Sequence, residues 1–264
     1  MTTEATWLDS MPAVYDRCLG GALFEPFAVH LAGRAAEFHP GRVLEIAAGT
    51  GVVTRRLRAA LPDADVLATD LNPGMVAAGA RHVPEVDWRV ADAVDLGVPD
   101  GSVDLLVCSF GVMFFPDRVA AFAEASRALA PGGRMLFTAW DAVERSPFPA
   151  ALVTALGEVL PDRTPQFIER VPHGYADPAA IRADVAAGGL VVEALDAVVL
   201  PGEAPSARTL AEGFCLGTPL RFALELQGSL GELTDAVGER MTAVLGEGPV
   251  RGDLAAHVVT ARRA

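Results

Sequence analysis

Residues 43–51, Val-Leu-Glu-Ile-Ala-Ala-Gly-Thr-Gly, constrain the fold of this chain more than any other stretch. Val43 to Ile46 read as a short buried strand, and the next five residues are all small or hydroxylated. Val52 to Leu61 then places Val52, Val53, Leu57 and Leu61 at helical spacing, with Arg55, Arg56 and Arg58 on the other side. Strand, tight small-residue loop and helix make the first half of a βαβ unit. Gly49 and Gly51 carry no side chain, so backbone N–H groups there can closely approach a ligand. The loop predicts a nucleotide-like cofactor at the carboxyl end of the first strand. Helix-to-strand packing is the competing explanation of such a turn. Residues 65–69, Asp-Val-Leu-Ala-Thr, weigh against it, because this second short apolar strand ends at Asp70. That carboxylate lies roughly 20 positions beyond the loop, where it can accept from ribose hydroxyls.

The alternation continues. Strands are expected at 43–46, 65–69, 86–90, 104–109 and 133–139, with helices at 52–61, 74–82 and 117–129 between them. Pro-Gly-Gly at 131–133 marks a stop between helix and strand. The pattern predicts an α/β fold with a doubly wound, mostly parallel sheet covered on both faces. Prolines at 147, 149, 161, 165 and 172 interrupt it around a helix at about 150–160. A helix from Asp177-Pro178 to Ala187, a strand from Leu190 to Leu200, helical sequence over 201–250 and a last strand from Leu254 to Arg262 follow. Near the start, Leu23, Phe24, Phe27, Leu31 and Ala35 fit one helical face. The expectation is one domain, 1–264, with seven strands: a helical lid at 1–41, a core at 42–140, lid insertions at 141–176 and 201–250, and the last helix and strands at 177–200 and 251–264.

Composition narrows the partners. The net charge of −13 opposes nucleic acid and anionic membranes, since phosphate binding draws on clustered cations. No apolar run reaches the roughly 18 residues that span a bilayer. Met1 to Thr6 has neither the basic nor the apolar part of a leader, and Cys18, Cys108 and Cys215 are few and far apart, which together favour a reducing cytoplasm. No metal-ligand spacing is present. Every basic residue is arginine, so a Schiff-base lysine, a P-loop lysine and a Tyr-x-x-x-Lys dehydrogenase pair are excluded.

The third strand ends in Arg89-Val90-Ala91-Asp92-Ala93. Asp92 is placed to accept from an adenine amine and the Ala93 N–H to donate to a ring nitrogen; a plain backbone-capping role for Asp92 stays open. With 47–51 and Asp70 it makes three ligand groups at three successive strand ends. At this point the chain resembles the class I S-adenosylmethionine-dependent methyltransferases, particularly the small-molecule "methyltransferase type 11" group. The matching motifs are Val-Leu-Glu-Ile-Ala-Ala-Gly-Thr-Gly (43–51), Ala-Thr-Asp-Leu-Asn-Pro-Gly-Met (68–75), Ala-Asp-Ala (91–93), Asp-Gly-Ser-Val-Asp-Leu-Leu-Val-Cys-Ser-Phe (100–110) and Leu-Ala-Pro-Gly-Gly-Arg-Met (129–135).

The resemblance implies S-adenosylmethionine as methyl donor and a role for each matching residue. Glu45 would hold the methionine amino group. Ala47, Ala48 and Gly49 would line the methionine part with backbone. Asp70 would take the ribose, Leu71 and Met75 the adenine faces, Asp92 and Ala93 its edge, and Ser109 the neighbourhood of the sulfonium. The family usually has glycine where this chain has Ala47. An NAD(P) oxidoreductase would share the loop and Asp70 but leaves Asp92-Ala93 unexplained. A protein that binds the same cofactor without transferring its methyl shares every binding motif.

Transfer from an activated sulfonium asks chiefly for in-line placement of the nucleophile, and for a base only if a proton must leave. His173 and Tyr15 are the candidates for that proton. Tyr15, Phe24, Phe110, Phe114, His173 and Tyr175 are the candidates to line an acceptor pocket, with packing an equal explanation for the aromatics. His30, His39, His82 and His257 read as structural or exposed. The expected acceptor is a small, partly apolar metabolite, at oxygen or carbon before nitrogen. The sequence leaves the oligomeric state open.

Overall fold

The computed structural model describes residues 11–263. Residues 1–10, the first part of the expected N-terminal lid and the stretch read for a leader, lie outside the described residues. Two compact units divide the chain. One holds residues 27–141, 175–198 and 256–263; the other holds 11–26, 142–174 and 199–255.

The first unit carries the body of a seven-stranded sheet. In chain order its elements are α1 (Glu25–Glu37), β1 (Arg42–Glu45), α2 (Val52–Ala60), β2 (Asp65–Asp70), α3 (Pro73–His82), β3 (Asp87–Val90), β4 (Val103–Ser109), α4 (Arg118–Ala128) and β5 (Leu129–Trp140). After residues of the other unit come α7 (Pro178–Ala187), β6 (Leu190–Ala204) and β7 (Val250–Arg263), whose outer ends, 199–204 and 250–255, belong to that other unit. Strand order is β3-β2-β1-β4-β5-β7-β6. The pairs β1–β2, β1–β4, β2–β3 and β4–β5 are parallel, and β7 runs antiparallel to β5 from Arg134–Arg262 to Trp140–Ala256. Leu105, Leu106, Val107 and Cys108, four consecutive residues of β4, have no exposed surface. A strand buried on both faces is the signature of a sheet covered on both sides.

Local chemistry explains the helix starts. Asn72 accepts from the Gly74 N–H at 2.8 Å with Pro73 at the first helical position of α3, and Asp177 accepts from the Ala179 N–H at 2.9 Å with Pro178 opening α7. Asp117 caps α4 through the Ala120 N–H at 2.9 Å. The expected boundary at Pro-Gly-Gly is corrected: β5 already begins at Leu129, and the three residues form an irregularity within it, where the register shifts between Val103 and Leu105. Gly132 has φ +80°, and a Cβ on Gly133 would lie 2.9 Å from the Ala130 carbonyl oxygen. The glycines let the strand pass through a bulge instead of ending there. The last two strands also exceed their expected limits, reaching Ala204 in β6 and starting at Val250 in β7.

The second unit is mainly helical: a π-helical stretch (Asp16–Phe24), α5 (Pro147–Val159), α6 (Phe167–Arg170), α8 (Ala207–Gly217), α9 (Leu220–Glu225) and α10 (Leu230–Leu245). A Cβ on Gly213 would meet the Leu19 side chain at 2.6 Å, and one on Gly217 would meet the Tyr15 backbone nitrogen at 2.8 Å. One turn of small residues thus lets the π-helical stretch and the residues before it lie directly on α8. The Ser146 Oγ, fully buried, accepts from the Ala255 N–H at 3.0 Å.

Candidate functional site

The loop after β1 has backbone that side chains rarely adopt. Ala47, Gly49 and Gly51 all have positive φ, +52°, +58° and +88°. The glycines adopt this without cost; alanine pays about 1–2 kcal/mol, which gives the usual glycine at position 47 its physical reason. The end of β1 and the loop are tied to β2 by three hydrogen bonds. The Ala48 N–H donates to the Thr69 carbonyl at 2.9 Å, the Thr69 hydroxyl to the Glu45 carbonyl at 3.0 Å, and the Gly49 N–H to Asp70 Oδ2 at 2.9 Å. The other Asp70 oxygen accepts from the Asn72 N–H at 2.8 Å. Asp70 therefore organises both loops at the strand ends while each of its oxygens keeps further lone-pair capacity.

Glu45 ends β1 and is 1% exposed. Its Oε2 accepts from the Thr54 hydroxyl, on the first turn of α2, at 2.7 Å. Burial pushes its carboxyl up to about 8, against the Thr54 hydrogen bond, and the nearby Asp70 adds to the rise. Burial also raises Asp70, opposed by the Asn72 and Gly49 N–H groups. Two acidic groups desolvated together at one strand edge favour a cation or hydroxyl donors as their complement.

The far side of the loop rests on the end of α3. His82 Nδ1 lies 2.9 Å from the Thr50 carbonyl oxygen, and so donates. The Trp88 ring fills the space beside Gly79 and Gly51; a Cβ on Gly79 would be 2.2 Å from it. At the start of α3, Leu71 is 65% exposed and Met75 half-buried. Beyond β3, Asp92 Oδ1 accepts from the Val94 N–H at 3.1 Å, the capping role left open by the sequence, and both Asp92 and Ala93 sit at that strand end beside Asp70's.

Ser109 ends β4, with its hydroxyl 3.4 Å from Thr138 Oγ1. Phe110 follows at φ +54°, its N–H donating to Thr138 Oγ1 at 3.0 Å. Its ring is 5% exposed, stacked on Trp140 at 3.7 Å and edge-on to Phe27 at 5.1 Å. The Phe110 ring thus belongs to a core aromatic cluster, whereas Phe114 is 44% exposed. Tyr175 is buried beneath Arg118, whose guanidinium lies 4.2 Å from the ring centre; burial first, then Asp184, raise its phenol pKa. His257 is buried and holds the Ala176 carbonyl through Nε2 at 2.8 Å. In the helical unit, Tyr15 stacks on Phe24 at 5.0 Å, and His173 is buried with its N–H on the Ile168 carbonyl at 3.1 Å. The structure gathers Glu45, Ala47, Ala48, Gly49, Asp70, Leu71, Asp92, Ala93 and Ser109 along the carboxyl ends of β1 to β4, with Met75 in the first turn of α3. Sequence reasoning missed Thr54, Trp88 and Thr138, whereas His82, read as structural or exposed, takes the structural role. Only Thr54 left a signal: a buried strand-end glutamate demands a donor, and the first turn of the next helix is the nearest source.

Desolvated acidic groups at the carboxyl ends of adjacent parallel strands, around a small-residue loop, define a Rossmann-like α/β protein with the arrangement that suits a nucleotide-type cofactor. Comparison with known proteins names the family. A family profile described as "Methyltransferase domain" matches residues 43–133. Demethylmenaquinone methyltransferase from Thermus thermophilus is 31% identical over 175 residues, 60% of this chain and 78% of that one. Malonyl-[acyl-carrier protein] O-methyltransferase from Hahella chejuensis is 36% identical over 127 residues, 47% of this chain. That match spans 44% of the relative, so the chain covers under half the length of this relative. Among solved structures, phosphoethanolamine N-methyltransferase 2 from Haemonchus contortus, in complex with S-adenosyl-L-methionine, has a TM-score of 0.58 at 16% identity, over 97% of this chain and 57% of that one. The chain belongs to the S-adenosylmethionine-dependent methyltransferases, and S-adenosylmethionine is the cofactor of that family. Among the described residues no helix is long and apolar enough to cross a membrane.

Proposed function

We propose that this chain transfers the methyl group of S-adenosylmethionine to a small, partly apolar metabolite, at oxygen or carbon. The observation that carries the reading is the pair Glu45 and Asp70, two desolvated carboxyls either side of a left-handed small-residue loop. A Cβ built on Gly49 meets nothing within 4 Å, so the loop faces open space there. In this reading Glu45 holds the methionine ammonium, and the 47–49 backbone lines the amino-acid part. Asp70 accepts from the ribose hydroxyls with the lone pairs that Gly49 and Asn72 leave available. The exposed Leu71 and the half-buried Met75 cover the adenine faces, Asp92 and Ala93 read its edge, and Ser109 stands toward the sulfonium.

The bound sulfonium supplies an activated methyl group, so the protein's part is placement and exclusion of water. Relatives named as a malonyl-[acyl-carrier protein] O-methyltransferase and as a ubiquinone/menaquinone biosynthesis C-methyltransferase support an oxygen or carbon acceptor. The net charge of −13 and three buried free cysteines support a cytoplasmic enzyme that acts on a small molecule and not on nucleic acid. Calorimetric titration with S-adenosylhomocysteine tests the cofactor half of the reading, and a screen of phenolic, quinol and carboxylic metabolites with labelled methyl donor tests the acceptor half. Failure of the purified protein to bind S-adenosylhomocysteine would overturn the proposal.

A further inference from the structure

We propose that Thr138 is a positioning residue for the methionine end of the cofactor site, holding the Ser109–Gly111 turn in its left-handed form against Ala47. The inference rests on the cofactor reading above. Phe110 is one of three non-glycine residues with positive φ among the described residues, and Ala47 is another. They terminate neighbouring strands, β1 and β4, and meet through Gly111, where a Cβ would lie 2.5 Å from the Ala47 Cβ. Strained backbone of this kind persists only where its surroundings fix it, and it concentrates where a ligand must be shaped.

Thr138 is the group that fixes it. It is fully buried in β5, paired with Ser109 across the strands. The Phe110 N–H is shared between the Thr138 hydroxyl at 3.0 Å and the Thr138 carbonyl at 3.3 Å. The carbonyl bond is the ordinary parallel-sheet contact; the hydroxyl bond is the shorter and comes from one side chain. It bends the chain after Ser109 instead of letting β4 continue. That turn sets where the Ser109 hydroxyl stands and how closely Gly111 approaches Ala47, both at the end of the site assigned to the amino-acid part. The adenosine end lies at β2, β3 and α3, and neither β2 nor β3 pairs with β5, the strand that carries Thr138.

The test separates the two ends. T138V keeps shape and strand propensity but removes the hydroxyl, while the carbonyl bond still pairs the strands; T138S keeps the hydroxyl. Affinities are measured for S-adenosylhomocysteine and for 5′-methylthioadenosine, which lacks the amino-acid part. The expected result is an S-adenosylhomocysteine affinity roughly three- to tenfold weaker in T138V, as loss of one hydrogen bond implies. Methylthioadenosine affinity should stay within about twofold, and T138S should restore the first value. If T138V does not fold, as read by circular dichroism, the T138S and T138A pair carries the same comparison. Equal loss for both ligands, no loss for either, or no restoration by serine overturns the proposal. A wild-type protein that binds neither ligand overturns the cofactor reading instead.

Discussion

Ala47 and Gly111 confront each other across the ends of β1 and β4 so closely that only one of them can carry a side chain. A Cβ on Gly111 would stand 2.5 Å from the Ala47 Cβ and 2.7 Å from Cys108 Sγ. Gly111 itself has an ordinary φ of −96°, so space and not backbone freedom demands glycine there. The methyl group that this chain has at position 47, where its family usually has none, is accommodated by the missing one at 111.

Gly111→Ala should therefore destabilise the fold by about 1–3 kcal/mol, the usual cost of overpacking. Ala47→Gly relieves the strain at φ +52° and vacates one of the two contacts. Introduced together, the two changes should recover part of the loss, with Cys108 accounting for the remainder. Chemical denaturation of the four proteins measures the coupling. Strictly additive energies would show that the two residues do not compete for the same space.

Asp70→Ala removes three things at once: the Gly49 N–H acceptor, the Asn72 N–H acceptor and the proposed ribose contact. S-adenosylhomocysteine affinity should fall by at least about 1.5–3 kcal/mol, the range for a hydrogen bond to a charged group. Asp70→Asn keeps one oxygen and should fall between wild type and alanine. An unchanged dissociation constant in Asp70→Ala would remove the ribose from this position.

Gly49→Val is expected to fold and to lose the cofactor. Nothing lies within 4 Å of the added Cβ, so folding suffers only the strain of a branched residue at φ +58°, about 1–2 kcal/mol. The same open space is where the methionine part is proposed to lie. Circular dichroism must show the native fold before titration counts; a folded variant that binds normally makes the loop merely structural.

The legible part of this molecule is the part written locally. Each proposed ligand group of the first three strands ends its own strand or follows it by a few residues, so periodicity and loop composition place 45–49, 70 and 92–93 together without knowledge of distant contacts. Asn72-Pro73 and Asp177-Pro178 announce their helices by cap chemistry that needs no neighbours. Long-range facts were not legible. Thr138 matters because it pairs with Ser109, 29 residues away, and that register is set by a bulge at Gly133 that reads in sequence as a strand start. The insertion of β7 between β5 and β6 leaves no local trace either. Phe110 lies in an aromatic run that suits a pocket and a core equally, and its ring stacks on Trp140, 30 positions on in the sequence, in the core.

Glu45 gives the protein a pH dependence of its own. Its carboxyl is held at about 8 in the folded protein against a usual 4.5, chiefly by burial. Between those values the folded state binds a proton that the unfolded state has lost, so this residue makes stability fall as pH rises from about 4.5 to about 8, after which its contribution is level. Glu45→Gln cannot ionise and keeps an acceptor for Thr54. The variant should therefore lose less stability than wild type across that interval, and the two melting curves should differ most above pH 8. Cofactor binding should act in the opposite direction on the same proton. If the methionine ammonium pairs with Glu45, binding near pH 7 must ionise it and release a proton to the buffer. Titrations of S-adenosylhomocysteine in buffers of different ionisation enthalpy should then show proton release for wild type and much less for Glu45→Gln, together with a weaker affinity in the variant. A wild-type enthalpy independent of the buffer would mean that the ammonium finds its partner elsewhere.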